Sequence, residues 1–225
     1  MPAARDVVAI DGIDGSGKSI FAAALTAALA ANEVPPVLLR VDDFRRPVDW
    51  SRADKSEADL YYDEYYDLTL LDRCLCDFLD GGQGVEIPYY DTAAERLSGT
   101  RPVTFNEATV AVVEGVFVLR IPTVADRAAV IYIETTAEEA RRRILSRDVA
   151  RGRSPQEVQR RIDARYVPGQ TRYQAAVDPI ARAAAVIDNQ NPETPRSLRL
   201  DTARFPAAVA RVLDGLLAGD SHAYS

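Results

Sequence analysis

The stretch Gly12-Ile13-Asp14-Gly15-Ser16-Gly17-Lys18-Ser19 decides how this chain is read. It fits the pattern G-x-x-x-x-G-K-[ST], and the spacing has a chemical reason. Gly12, Gly15 and Gly17 let the backbone take positive φ and come close to an anion. Several backbone N–H groups, with Asp14 and Ser16 in the same loop, then surround the β-phosphate of a nucleotide, and the helix that follows adds its positive end. Lys18 reaches the β and γ oxygens, and Ser19 can ligate the Mg²⁺ that bridges them. The context agrees: Val7-Val8-Ala9-Ile10 reads as a buried strand just before the loop, and the alanine- and leucine-rich run to Ala31 as a helix just after it.

The chain has 225 residues and a net charge of −7, so one domain over residues 1–225 with ample core is expected. The acidic balance argues against a broad nucleic-acid footprint, which needs a basic face. Cys74 and Cys76 are the only cysteines; on a helix they point apart, which argues against a disulfide or a shared metal. The single histidine, His222, lies in a polar tail, so no histidine base is available elsewhere. Nothing resembles a signal peptide or reaches the length of a membrane span, and the cytoplasm is the expected compartment. Self-association is left open.

Along the chain, strands alternate with helices. Val37 to Val41 is a second buried strand that ends in Asp42-Asp43-Phe44, and a polar stretch follows from Arg45 to Ala58. Tyr61, Tyr62, Tyr65 and Tyr66 form two i,i+4 pairs, one readable as core and the other as pocket. A helix is predicted over Leu68 to Leu79, stopped by Gly81-Gly82. Val85 to Tyr90 and Pro102 to Phe105 read as a hairpin-like excursion within residues 85–105. Thr109 to Gly115 and Ala129 to Ile133 are strands. Thr135-Thr136 before Glu138-Glu139 is a capping signature that opens an arginine-rich helix. Ser154-Pro155 starts another helix, Ala183 to Ile187 is read as the last strand, and Pro206 to Leu217 as the last helix. The fold class is therefore α/β: a parallel sheet of about five strands sandwiched by helices. In such sheets ligands sit at the carboxyl ends of the strands, where Asp11, Asp42-Asp43 and Glu114 all fall.

Three groups could carry chemistry. A hydroxyl acceptor needs a carboxylate to orient it and take its proton. Asp42 and Asp43 end the strand expected beside the phosphate-binding loop, and either could instead cap a turn. Glu114 ends a strand as a metal-supporting acid would, or simply as a charge at a strand exit. Arg141, Arg142, Arg143, Arg147, Arg151 and Arg153 share a helix and its exit, with Arg143, Arg147 and Arg151 on one face. They read as a solvated face or as cations around a transferring phosphoryl group.

Together these residues resemble the uridine kinase and phosphoribulokinase group of P-loop kinases. The loop, Asp42-Asp43-Phe44, Tyr62-Asp63, Pro88-Tyr89-Tyr90-Asp91, Val113-Glu114-Gly115, Arg147-Asp148 with Arg151-Gly152-Arg153, Tyr166-Val167-Pro168-Gly169-Gln170 and Ala185 to Asn189 occur in that family's order, over about residues 6 to 190. The resemblance implies a P-loop kinase fold with an arginine-rich lid near 141–170. ATP and Mg²⁺ would be used on a small-molecule acceptor, most simply a nucleoside, with no nucleic-acid or membrane partner. By resemblance Asp42 is the catalytic base beside Lys18 and Arg147, and Ser19 and Glu114 support the metal. Arg143, Arg151 and Arg153 close on the triphosphate, while Tyr62, Asp63, Tyr66 and Tyr90 face the acceptor.

The chain also departs from the family. Arg45 stands where a tyrosine is usual, Asp63-Glu64-Tyr65 replaces D-H-P, Glu95 replaces the histidine that reads a pyrimidine, and Ile20 replaces a hydroxyl residue after Ser19. A thymidylate-type or other small-metabolite kinase, and a non-kinase nucleotide-hydrolysing switch, are the alternatives.

Overall fold

The computed structural model describes residues 5–91 and 96–218. Strand β1 (Asp6–Asp11) runs through the glycine-rich loop into α1 (Lys18–Ala31). Strand β2 (Pro36–Arg40) leads into one 3-10 turn, Val41–Phe44. Helices α2 (Glu57–Asp63) and α3 (Leu68–Leu79) precede an antiparallel pair, β3 (Gly84–Asp91) and β4 (Arg96–Thr104). Then come β5 (Val110–Glu114), α4 (Pro122–Arg127) and β6 (Ala129–Glu134). An arginine-rich arc follows: α5 (Ala137–Ala150), α6 (Pro155–Arg161), a π-helical turn over Ile162–Tyr166 and α7 (Val167–Val177). The chain closes with α8 (Pro179–Arg182), β7 (Ala185–Asp188), β8 (Arg196–Leu200) and α9 (Ala207–Leu217).

Why the strands read as unbroken apolar runs is visible in the packing. Side chains alternate across a strand. Val7 and Ala9 of β1 join the core that holds Leu71, Leu75, Phe78 and Phe117, whereas Val8 and Ile10 join the core formed with α1 and α9. Both faces are therefore covered, and the middle of the strand is apolar throughout. A fully buried Leu or Phe in such a core is worth about 1.5–3 kcal/mol. Helix starts follow local chemistry: Thr136 and Ser154 each accept from the backbone N–H three residues on, at Glu139 and Glu157. Helix α3 spans the predicted residues and buries Leu71, Cys74, Leu75 and Phe78. Cys74 is buried and Cys76 exposed, and both are free.

Among the described residues the central sheet has six strands, in the order β2-β5-β1-β6-β7-β8, and β8 pairs antiparallel with β7. Two expectations need correction. The five parallel strands are as expected, but the strand over Ala183 to Ile187 is not the last, since an antiparallel β8 follows it. Strand β8 is an exposed, arginine-containing edge with no apolar run to announce it. Strand β2 does not lie beside β1, because β5 sits between them. The register then matters: Ile10 pairs with Glu114, and Glu114 pairs with Arg40, so three strand ends finish at one level. Gly115 lets them meet, since a Cβ there would lie 2.4 Å from Val41 Cβ.

The tyrosine cluster is also rearranged. Helix α2 ends at Asp63, so Tyr65 and Tyr66 are not on its faces and the i,i+4 argument does not apply. Tyr66 instead sits in a bridge to Arg45. Glu95 and His222 lie outside the described residues.

Candidate active site

The site begins with the loop between β1 and α1. Gly12, Gly15 and Gly17 all have positive φ. At Gly12 a Cβ would come within 2.5 Å of the Ile133 carbonyl, so only glycine allows this path. Gly17 starts α1 with no side-chain cap, which leaves the first N–H groups of the helix turned toward the loop. Lys18 Nζ donates to the Ile13 carbonyl at 2.8 Å and folds back across the loop. The Ser16 hydroxyl is buried with no hydrogen-bond partner. A cradle of glycines, an orphaned hydroxyl and a lysine resting on its own loop fit a triphosphate.

Glu114 joins this loop to the next strand end. It is 4% exposed and accepts from the Ser19 hydroxyl at 3.0 Å. Arg40 Nε is 3.7 Å away. Burial raises the Glu114 pKa, Lys18 and Ser19 oppose the rise, and nearby Asp42 adds to it. Such a carboxylate gains from a cation. Among the described residues no group of three or more His, Cys, Asp or Glu could hold a metal. A metal at Ser19 and Glu114 therefore needs oxygens from elsewhere, which suits Mg²⁺ bound through phosphates.

Asp42 and Asp43 follow on the 3-10 turn rather than on a strand, so strand alternation does not set their directions. Asp42 pairs with Arg45 at 2.5 Å and faces the Tyr66 hydroxyl at 3.4 Å. Asp43 pairs with Arg101 of β4 at 2.6 Å. Asp42 thus stays near Glu114, while Asp43 anchors the β3–β4 arm.

The arginines of the arc are held in pairs and hydrogen bonds. Arg143 Nη2 donates to the Asn189 and Gln190 carbonyls at 2.8 and 3.0 Å, and its Nε to Glu139 at 2.7 Å. Arg147 and Arg153 share the buried Asp148 at 2.8 and 3.3 Å. Arg151 caps α5 and is exposed. A cleft of about 350 Å³ opens between Gly17, Ile20, Arg143, Arg147, Asn189 and Pro192.

Of the expected acceptor residues, the structure brings Tyr66 and Tyr90 toward Asp42 through Arg45. The guanidinium carbon of Arg45 lies 5.9 Å from the centroids of both the Tyr65 and Tyr90 rings. Tyr62 and Asp63 are committed elsewhere. The guanidinium carbons of Arg120 and Arg172 lie 3.8 and 4.2 Å from the Tyr62 ring centroid, and Arg172 pairs with Asp63 at 2.9 Å. Asp14 accepts from Tyr61 and Gln170, both at 2.6 Å.

Sequence reasoning missed Asn189 as a loop support: its Nδ2 donates to the Ser16 carbonyl at 2.7 Å. It missed Tyr61, Gln170, Arg120 and Arg172 as well. Their partners are 47 or more residues away, and nothing local marks them. Asp11 is fully buried under Tyr173, which donates to it at 2.5 Å, and the Gly12 N–H.

The chain resembles solved structures of related architecture. A protein described as a possible uridine kinase from Bacillus stearothermophilus is 23% identical, with a TM-score of 0.65 over 83% of this chain and 90% of that one. A candidate fructose transport system kinase from Silicibacter sp. TM1040 is 23% identical, with a TM-score of 0.63 over 78% and 86%. D-glycerate 3-kinase from Cryptococcus neoformans var. grubii is 14% identical, with a TM-score of 0.56 over 86% and 90%. At these identities the likeness is one of fold. The sequence match is broader in what it shows: the model of the phosphoribulokinase / uridine kinase family matches residues 7–195, most of the chain, and the protein belongs to that family.

Proposed function

We propose that this chain transfers the γ-phosphoryl group of ATP to a hydroxyl of a small molecule bound against Asp42. Membership of the family makes it a small-molecule kinase; the nucleotide, the metal and the acceptor side are our reading. One observation carries it. Glu114 touches Ser19 of the loop and stands in register with Arg40, two residues before Asp42. This supports a phosphate cradle and an acceptor carboxylate at the same carboxyl ends of the strands.

Lys18, the loop N–H groups and the α1 N-terminus would hold the phosphates. Ser19 and Glu114 would hold Mg²⁺, which when bound draws negative charge from the phosphate oxygens. Arg147 and Arg153 are placed to add positive charge from the arc, and Arg143 stiffens the loop from behind. The 350 Å³ cleft beside Gly17 and Ile20 is where the base and ribose would lie. Asp42 Oδ1, only weakly engaged by Tyr66 at 3.4 Å, orients the hydroxyl and takes its proton.

The nucleoside acceptor implied by resemblance is a second reading. The Tyr65 and Tyr90 rings near Arg45 favour it. The commitment of Tyr62 and Asp63 to arginines favours a compact hydroxyl compound instead. The same set of paired acids, and the acceptor space beside Asp42, argue against a switch that only hydrolyses nucleotide. Two free cysteines and the acidic charge support a cytoplasmic enzyme with a small-molecule partner. No helix among the described residues is long and apolar enough to cross a membrane. ATP turnover with and without a panel of nucleosides, nucleotides, sugars and hydroxy acids tests the proposal. Acceptor-dependent ADP release supports it, and acceptor-independent hydrolysis at the full rate overturns it.

A further inference from the structure

We propose that Arg45 selects the acceptor, and that the acceptor carries an oxyanion, a carboxylate or a phosphate monoester, close to the hydroxyl that is phosphorylated. This rests on the reading of Asp42 as the group that takes the hydroxyl's proton.

Arg45 leaves the 3-10 turn in extended conformation, and its backbone bridges to Tyr66. These restraints hold the side chain inward. It is 19% exposed, whereas its partner Asp42 is 55% exposed. The usual arrangement is thus reversed: the carboxylate is out and the cation is in. Burial works against the charge, but the Asp42 carboxylate beside it outweighs the burial and keeps the guanidinium protonated. Among the described residues Asp42 is the one carboxylate paired with it. Arg101 is spent on Asp43, and Arg120 and Arg172 on Tyr62 and Asp63.

A guanidinium presents five N–H donors in a fixed fork. Asp42 engages Nη2, and Nε is buried with no hydrogen-bond partner. A buried donor left unsatisfied is destabilising, and most such groups find a partner. The guanidinium carbon lies 5.9 Å from the centroids of both the Tyr65 and Tyr90 rings and beside Asp42, where the acceptor must sit to offer its hydroxyl. An oxyanion there meets a fork shaped for carboxylate or phosphate. It also draws the guanidinium partly from Asp42, so that Oδ2 as well as Oδ1 becomes open to the hydroxyl. A neutral nucleoside offers no comparable charge.

The experiment compares acceptors that differ by the anion alone: glycerate against glycerol, ribose 5-phosphate against ribose, with uridine as the neutral ring compound. Product formation with ATP and Mg²⁺ is followed by mass, and kcat and KM are measured. The anionic member of a pair is expected to be preferred, and the two pairs distinguish carboxylate from phosphate. Arg45→Gln should raise KM for the preferred acceptor by roughly 10- to 100-fold while leaving KM for ATP unchanged. Arg45→Lys, which keeps the charge and loses the fork, should fall between. Arg46→Gln is the control, because Arg46 turns outward to Asp67 at 2.6 Å; it should not alter the preference. Thermal unfolding checks that each variant is folded.

Calorimetry with glycerate, and separately with inorganic phosphate, gives a readout that needs no turnover. The nucleotide site is first filled with a non-hydrolysable ATP analogue. Anion binding that Arg45→Gln abolishes supports the proposal even if no panel member is phosphorylated, and that failure would count against the kinase reading instead. Uridine or another neutral compound phosphorylated best, with Arg45→Gln harmless, would overturn the role of Arg45 while leaving the kinase standing. Absence of anion binding to the wild-type protein would overturn it too.

Discussion

The Tyr61 hydroxyl donates to Asp14 Oδ2 at 2.6 Å and ties the glycine-rich loop to α2. Gln170 of α7 donates to the same oxygen at 2.6 Å. The Asp14 side chain is thereby the point where the loop, α2 and the arginine arc meet. Tyr61→Phe keeps the buried ring and removes the bond. It should lower stability by ~2 kcal/mol, the scale for hydrogen bonds to charged groups, and raise KM for ATP. Urea unfolding and ATP titration measure both, and an unchanged midpoint would reduce Tyr61 to packing alone.

Lys18→Ala should abolish phosphoryl transfer without unfolding the protein, because Lys18 makes its one side-chain hydrogen bond to a loop carbonyl. Circular dichroism and turnover are compared on the same sample. Full turnover in the variant would move the site elsewhere.

Asp42→Asn should lower kcat by roughly 10²–10⁴, the range for general acid–base groups, with little change in ATP binding. Asp43→Asn should cost much less, because its carboxylate holds Arg101 at 2.6 Å. Assaying both variants for turnover and ATP affinity decides the assignment; a near-normal Asp42→Asn beside a crippled Asp43→Asn would exchange their roles.

The arginine arc should tighten around the phosphates only when both substrates are present, since closure excludes water from the transfer step. Asp148, shared by Arg147 and Arg153, is the pairing that would have to loosen. Hydrogen exchange over residues 141–170, with and without ATP and acceptor, reads this. Equal protection in the two states would rule out closure.

Asp11 gives a pH signature. Burial pushes its carboxyl up to about 6, against the opposing effects of Tyr173, the Gly12 N–H and Lys18. The folded state therefore holds the proton more tightly than the unfolded chain, whose value is near 3.8. The stability this contributes is complete below that lower value and is lost as pH rises through about 6. The loss is on the order of 3 kcal/mol. Asp11→Asn removes the carboxyl and should flatten the fall between about pH 4 and about pH 7 relative to wild type. Urea midpoints across that range, taken for both proteins, measure the difference; parallel curves would show that Asp11 does not titrate there.

By itself the sequence determined what depends on neighbours in the chain. Gly12, Gly15, Gly17, Lys18 and Ser19 announce a phosphate cradle because backbone conformation and helix polarity are local properties. The strands and α3 were legible because burial on both faces, or on one, imposes its period directly on the residues. Thr136 and Ser154 announced helix starts for the same reason. What tertiary structure alone decided is which distant groups share a charge or a hydrogen bond. Strand order placed β5 between β2 and β1 and so made Glu114 the link from Ser19 to the turn bearing Asp42. It turned Asp14 to Tyr61 and Gln170, Tyr62 to Arg120 and Arg172, and Asp42 to Arg45. It also added β8, an exposed edge with no hydrophobic period to mark it. A carboxylate or guanidinium is paired by whatever the fold brings within about 4 Å, and residue order carries no record of that distance.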